Sequence, residues 1–188
     1  MELFTTPAGW EYLARWGHFL FGITWIGLLY YFNFVQGAFF AEASADTRTE
    51  ATAKLAPRAL WWFRWGAMFT FLTGLILLGF LGAGMTYAIT LGALMGILMF
   101  LNVWLIIWPK QKIVIASAEG QREGREALPE AAEAGPKALL ASRTNTLFSL
   151  PMLFFMGSSA HMPMIGGPIQ DVSMPSLILA LIVILGLE

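Results

Sequence analysis

The feature that most constrains this chain is a series of long apolar stretches that leaves little sequence for anything else. Five can be read in 188 residues, over about 12–40, 59–81, 87–108, 146–162 and 174–187. About 20 apolar residues cross a hydrocarbon core of roughly 30 Å when wound at 1.5 Å per residue. In lipid the backbone must satisfy its own polar groups, so such stretches form helices. The expected fold is all-α: one polytopic membrane helix bundle of about five transmembrane helices, a single domain over 1–188. Met174–Leu187 reaches only about 21 Å and is short for a span. Composition points the same way. Only 12% of residues are charged against 57% hydrophobic, whereas soluble domains carry about one-quarter charged residues.

Basic residues give the expected orientation. Arg48, Lys54 and Arg58 lie in the first link, and Lys110, Lys112, Arg122, Arg125, Lys137 and Arg143 in or beside the third. The links 82–86 and 163–173 carry none. The first and third links are therefore placed in the cytoplasm, with the N-terminus outside and the C-terminus inside. The start reads as a span and not as a signal peptide, because 1–10 has no basic region and the apolar stretch after it has no small-residue cleavage site. The segment 110–142 is expected to be a cytoplasmic helical excursion. Gln111–Ala127 prolongs the third helix, Pro129 breaks it, and Ala131–Ser142 forms a short helix leading into the fourth stretch.

Several functions are excluded by what the sequence lacks. With no cysteine there is no thiolate-bound iron–sulfur cluster, disulfide, Cys nucleophile or covalent c-type haem attachment. A net charge of -1 argues against a nucleic-acid partner. No carboxylate lies deep in a stretch, which disfavours a proton-pumping relay within this chain. No phosphate loop, metalloprotease helix or serine-hydrolase elbow is present.

The chemistry-bearing candidates are the two histidines, His18 and His161. The first lies early in a stretch entering from outside, the second at the end of one leaving to the outside. Both are thus expected about 5–10 Å below the same boundary. Ionisable groups at such depth are functional candidates by default. Each has a glycine one turn deeper, Gly22 and Gly157, which leaves a flat gap beside the imidazole. That arrangement suits haem b held between the first and fourth helices by His18 and His161. Trp25 would pack along the same face, and Arg15 could pair with a propionate.

Other readings stand beside this one. Small residues at four-residue spacing are the usual means of close helix packing in membranes. Gly66, Thr70 and Gly74, and Gly92 and Gly96, show that pattern and are read as having no histidine nearby. A single axial histidine, with the sixth site open or Met-filled, is a variant of the haem reading. Met162 and Met164 beside His161 could instead hold Cu(I), a less specific alternative. Farther along, Asn33, Gln36, Asn102, Asn145, Arg58, Arg64, Arg143 and Trp61, Trp62 and Trp65 form a polar and aromatic cluster on the cytoplasmic side. Its tryptophans and arginines read as an interfacial belt, and Asn33 and Asn102 as interhelical hydrogen-bonders, with a lipid or quinone pocket as the alternative.

Four stretches carry a family resemblance: His18–Gln36 (HFLFGITWIGLLYYFNFVQ), Arg58–Ala67 (RALWWFRWGA), Asn102–Lys112 (NVWLIIWPKQK) and Ser149–His161 (SLPMLFFMGSSAH). They resemble the N-terminal membrane domain of the bacterial cytochrome-c-linked urate oxidases, or urate hydroxylases, over about Trp10 to Pro163. The His-x6-Trp-x-Gly run is also similar to haem-binding membrane proteins of the copper-resistance D and protoporphyrinogen-oxidase types. The resemblance implies an oxidoreductase module of the bacterial inner membrane that feeds a C-terminal cytochrome c. The present chain is read as stopping after its fifth stretch, with neither the family's further helices nor a Cys-x-x-Cys-His site. The electron acceptor is then expected to be another membrane or periplasmic redox chain. Two functions follow as expectations: a haem b electron-transfer subunit, or a non-catalytic accessory subunit of a larger respiratory or photosynthetic complex.

Overall fold

The computed structural model describes residues 2–162 and 167–188, and no strand occurs among them. Seven helices follow in order: α1 (Glu2–Thr5), α2 (Pro7–Glu42), α3 (Ala45–Lys54), α4 (Ala56–Leu81), α5 (Tyr87–Arg122), α6 (Ala131–His161) and α7 (Met174–Leu187). Three of them, α2, α4 and α5, are long and apolar enough to cross a membrane. In α6 the apolar half is diluted by Asn145, Ser149 and Ser158, and α7 is a shorter apolar helix.

Local chemistry sets the helix starts. Pro7 has no N–H to leave unsatisfied in the first turn, and the Thr6 side chain accepts from Gly9 N at 3.1 Å. Thr86 caps α5 in the same way, accepting from Ile89 N at 3.1 Å. The helix ends depart from the sequence reading at two places. First, α5 stops at Arg122 and not near Pro129. There Gly124, at φ 81°, turns the chain through a conformation closed to most other residues. Ser117 Oγ then pins the returning strand of chain by accepting from Leu128 N at 3.0 Å. Second, residues 131–142 are not a separate short helix. They run without a break into 143–161 as one helix, with Pro136 and Pro151 inside it.

Two tight pairs make the bundle, α2 with α4 and α5 with α6. Glycine lets each pair close up. A Cβ on Gly66 would lie 3.2 Å from Trp25 N, and one on Gly92 would lie 2.9 Å from Met156 Cγ and 3.2 Å from Met156 N. The pairs meet each other at far fewer residues. Aromatic rings bridge one seam, with Phe71 stacked on Phe100 at 4.1 Å and Trp65 edge-on to Trp104 at 5.8 Å. Hydroxyl and amide groups bridge the other. Tyr30 Oη is 2.8 Å from Ser149 Oγ, and Asn33 Nδ2 donates to Ser142 Oγ at 2.8 Å. Inside the α5/α6 pair Asn145 is fully buried. Its Nδ2 donates to the Met99 carbonyl and its Oδ1 accepts from Asn102 Nδ2, both at 2.9 Å. The interhelical role read for Asn33 and Asn102 is therefore observed.

Two stretches widen to π-helical turns, Tyr31–Gln36 in α2 and Asn102–Ile107 in α5. The second ends just before Trp108–Pro109. A proline in a helix interior lacks an N–H and crowds the carbonyl four residues back, and a wider turn ahead of it relieves both problems. Large apolar side chains cover the outside, among them Phe19, Ile23, Leu105, Leu140 and Leu150, each at least 66% exposed. So much apolar surface belongs against lipid or another protein and not against water.

Candidate functional site

His18 sits on α2, half-buried, with its ring against α4. The stripe of small residues on α4 makes that seat. A Cβ on Gly74 would be 3.2 Å from the ring's Cε1, so only glycine leaves full room there. The reading that no histidine lies near Gly66, Thr70 and Gly74 is thus corrected, since His18 packs directly on this stripe. Which helix α2 pairs with is a tertiary fact that the spacing does not carry.

The hydrogen bonds of His18 define its protonation pattern. Nδ1 lies 2.9 Å from the Thr70 carbonyl oxygen and 3.1 Å from Thr73 Oγ1. A carbonyl can only accept, so Nδ1 carries the proton and donates. Thr73 Oγ1 gives its own hydrogen to the Phe69 carbonyl at 2.6 Å and can accept from Nδ1 as well. No described hydrogen bond uses Nε2, so a neutral imidazole in this tautomer presents its Nε2 lone pair. Metal-bound histidines are held in the same way, with the other ring N–H given to a carbonyl or carboxylate. Thr70 and Thr73 escaped the sequence reading as functional residues. Their signal was a pair of threonines three apart, flanked by Gly66 and Gly74.

His161 ends α6 and is exposed. Its position relative to His18 follows from the Tyr30–Ser149 hydrogen bond. His18 precedes Tyr30 by 12 residues, and His161 follows Ser149 by 12. Since α2 and α6 run in opposite directions, each histidine lies about 18 Å along its own helix toward the same end of the bundle. No described hydrogen bond joins the two rings.

The remaining candidates fall differently. A Cβ on Gly22 would meet Thr70 Cγ2 at 3.9 Å, so its flat side faces α4 and serves helix packing. Gly157 has nothing within 4 Å of the same position, so the gap beside His161 is open. Trp25 is 2% exposed, in the common core with Leu29, Phe63 and Met99. Its indole Nε1 is buried and unpartnered among the described residues. Arg15 is exposed and ion-paired with Glu11 on its own helix. Met162 follows His161 and is exposed. Met164, the other thioether of the copper reading, lies outside the described residues, as does Pro163. No group of three or more His, Cys, Asp or Glu side chains that could hold a bare metal ion occurs among the described residues. An axial-ligand role for His18 needs no such group.

The model of one protein family, described as Urate oxidase N-terminal, matches residues 80–187, more than half of the chain. This chain belongs to that family. The match to the urate oxidase N-terminal family takes in Asn102–Lys112 and Ser149–His161, and with them His161, Gly157 and the Asn102–Asn145 pair. The similar stretches His18–Gln36 and Arg58–Ala67 fall outside the matched segment. Comparison with curated proteins and with solved structures gives no match.

Proposed function

We propose that this chain is a haem b-binding electron-transfer subunit of the urate oxidase membrane-domain type. It crosses the bacterial inner membrane five times, with α6 and α7 as the fourth and fifth spans. The basic residues between α2 and α4, and those at the α5–α6 turn, support a cytoplasmic position for those links. One observation carries the proposal: the Thr70 carbonyl takes the Nδ1 proton of His18 at 2.9 Å and leaves Nε2 unencumbered. Nothing in helix packing alone requires an imidazole at this seat. Family membership supports the redox class, and the placement of His18 and His161 toward the same end of the bundle supports both as the residues that would hold the haem.

Haem b, when bound, supplies a one-electron couple. The chain's own residues do the rest. Thr70 and Thr73 fix the tautomer and direction of the His18 ring. Gly157 leaves flat space beside His161. Electrons leave to a membrane or periplasmic redox acceptor, since residues 1–188 hold no cysteine for a covalent c-type haem. The test is a reduced-minus-oxidised absorption spectrum with a pyridine haemochrome assay on the purified protein. One haem b per chain is expected, lost or much reduced in His18→Ala. A folded protein without haem, co-purifying with a larger assembly, would favour the accessory-subunit reading instead.

A further inference from the structure

At the end of the bundle opposite the histidines, α4 opens with Arg58, Trp61, Trp62 and Trp65. Their spacing of three, four and seven puts them on one helix face. Pro57, Arg58, Trp61 and Trp62 line a shallow groove of about 420 Å³. The two indoles stand edge to face at 5.0 Å, and Trp62 is 61% exposed. On the adjoining face the Arg64 guanidinium lies 3.8 Å over the Trp108 ring, with Lys112 Nζ 5.7 Å from the same ring.

The ion pairs among the described residues are Arg15–Glu11, Lys54–Glu50, Arg125–Glu123 and Lys137–Glu133. Arg58, Arg64 and Lys112 are in none of them. Arg58 therefore stands without a carboxylate at an indole-walled groove at one end of an apolar bundle, and Arg64 and Lys112 stand without one on the adjoining face. The complementary ligand has an anionic head and an apolar body. An ordinary interfacial belt needs tryptophan and snorkelling arginine; here a shallow groove also runs beside Arg58 and the paired indoles.

We propose that this groove binds the phosphodiester head group of an anionic phospholipid from the cytoplasmic leaflet. Arg58 takes the phosphate, and Trp61 and Trp62 pack on the glycerol and upper acyl chain. The proposal needs the bundle to sit in a membrane but does not need haem. Each basic residue near an anionic surface is worth about fivefold in binding, so losing one cation has a readable effect.

The test uses the full chain in nanodiscs of phosphatidylcholine containing brominated phosphatidylglycerol or, in parallel, brominated phosphatidylcholine. Quenching of the tryptophan fluorescence that Trp61→Phe/Trp62→Phe removes reports occupancy of the groove. The anionic lipid is expected to quench this component about fivefold more effectively, and Arg58→Gln to bring the ratio near one. Any Soret band should stay unchanged in that variant, which separates this site from the histidines. Raising salt from about 0.05 to 0.5 M should weaken the wild-type preference, since the phosphate contact is screened; this arm holds even where Arg58→Gln does not fold. Equal quenching by both lipids, or a preference that survives both Arg58→Gln and salt, overturns the proposal.

Discussion

Replacing Asn145 by leucine tests the polar clamp between α5 and α6. The side chain is fully buried, donates to the Met99 carbonyl and accepts from Asn102 Nδ2, both at 2.9 Å. Interhelical hydrogen bonds in membrane proteins average about 0.6 kcal/mol and reach about 1.7. Asn145→Leu removes two of them and leaves the Asn102 amide donor buried without its partner, a further cost of about 1–3 kcal/mol. The expected loss is about 2–4 kcal/mol. Asn102→Leu removes one bond and leaves Asn145 still bound to Met99, so about 1–2 kcal/mol is expected. The double variant no longer has an orphaned donor. It should cost less than the sum of the singles by about 1 kcal/mol. Unfolding in increasing denaturing detergent, followed by far-UV circular dichroism, gives all three values. Additive losses, or a loss below about 0.5 kcal/mol for Asn145→Leu, would show that the clamp does not hold these helices.

Other expectations follow from the same geometry. Gly92→Leu should cost at least about 1–3 kcal/mol of stability, because its Cβ meets the Met156 backbone N at 3.2 Å and the Met152 carbonyl at 3.3 Å, which cannot yield as a side-chain tip can. Gly157→Leu should leave detergent unfolding unchanged, having nothing within 4 Å to strike, yet reduce haem content by filling the gap beside His161. Stable variants with full haem would remove Gly157 from the site. Thr73→Val keeps the shape of the seat but removes an acceptor 3.1 Å from His18 Nδ1. It should retain haem and shift its midpoint potential, which a redox titration reads. The Lys54 and Lys137 ammonium groups, through hydrogen bond and charge, hold the Glu50 and Glu133 carboxyls below their ordinary range. Stabilisation from such depressed carboxyls is present above the unfolded value and lost as pH falls through the folded one. Both pairs are solvent-exposed, so acidification through that range should leave the helical circular dichroism intact.

How much of this was legible beforehand depended on which interactions are local. Helices over 59–81 and from 87 onward, and the extension past 108, follow from apolar runs and helix-prone polar residues whose signals lie within one element. Asn33 and Asn102 could be read as interhelical because a buried amide in an apolar stretch needs a partner, although the partners Ser142 and Asn145 could not be named. The continuity of α6 was obscured by the change from polar to apolar composition near 143, which marks a change of surroundings and not a helix end. The π-turn at Asn102–Ile107 was implied by Pro109 only in retrospect. At the site, the paired histidines were visible in sequence, but their supports were not. A Cβ on Gly22 would meet Thr70 Cγ2 at 3.9 Å, a contact the sequence could not foretell, because the same glycine pattern serves a flat ligand and a close helix equally well. Thr70 and Thr73 became recognisable only once α2 was seen to pair with α4.

Electron paramagnetic resonance and near-infrared magnetic circular dichroism of the ferric protein read the iron's ligands directly. Ligation of one haem b by His18 and His161 predicts a low-spin, bis-imidazole iron in the wild type. It also predicts a changed spin state or ligand band in His161→Ala, and no retained haem in His18→Ala. A haem that keeps its bis-imidazole signature without His18, or a folded wild-type protein that takes up none, contradicts it.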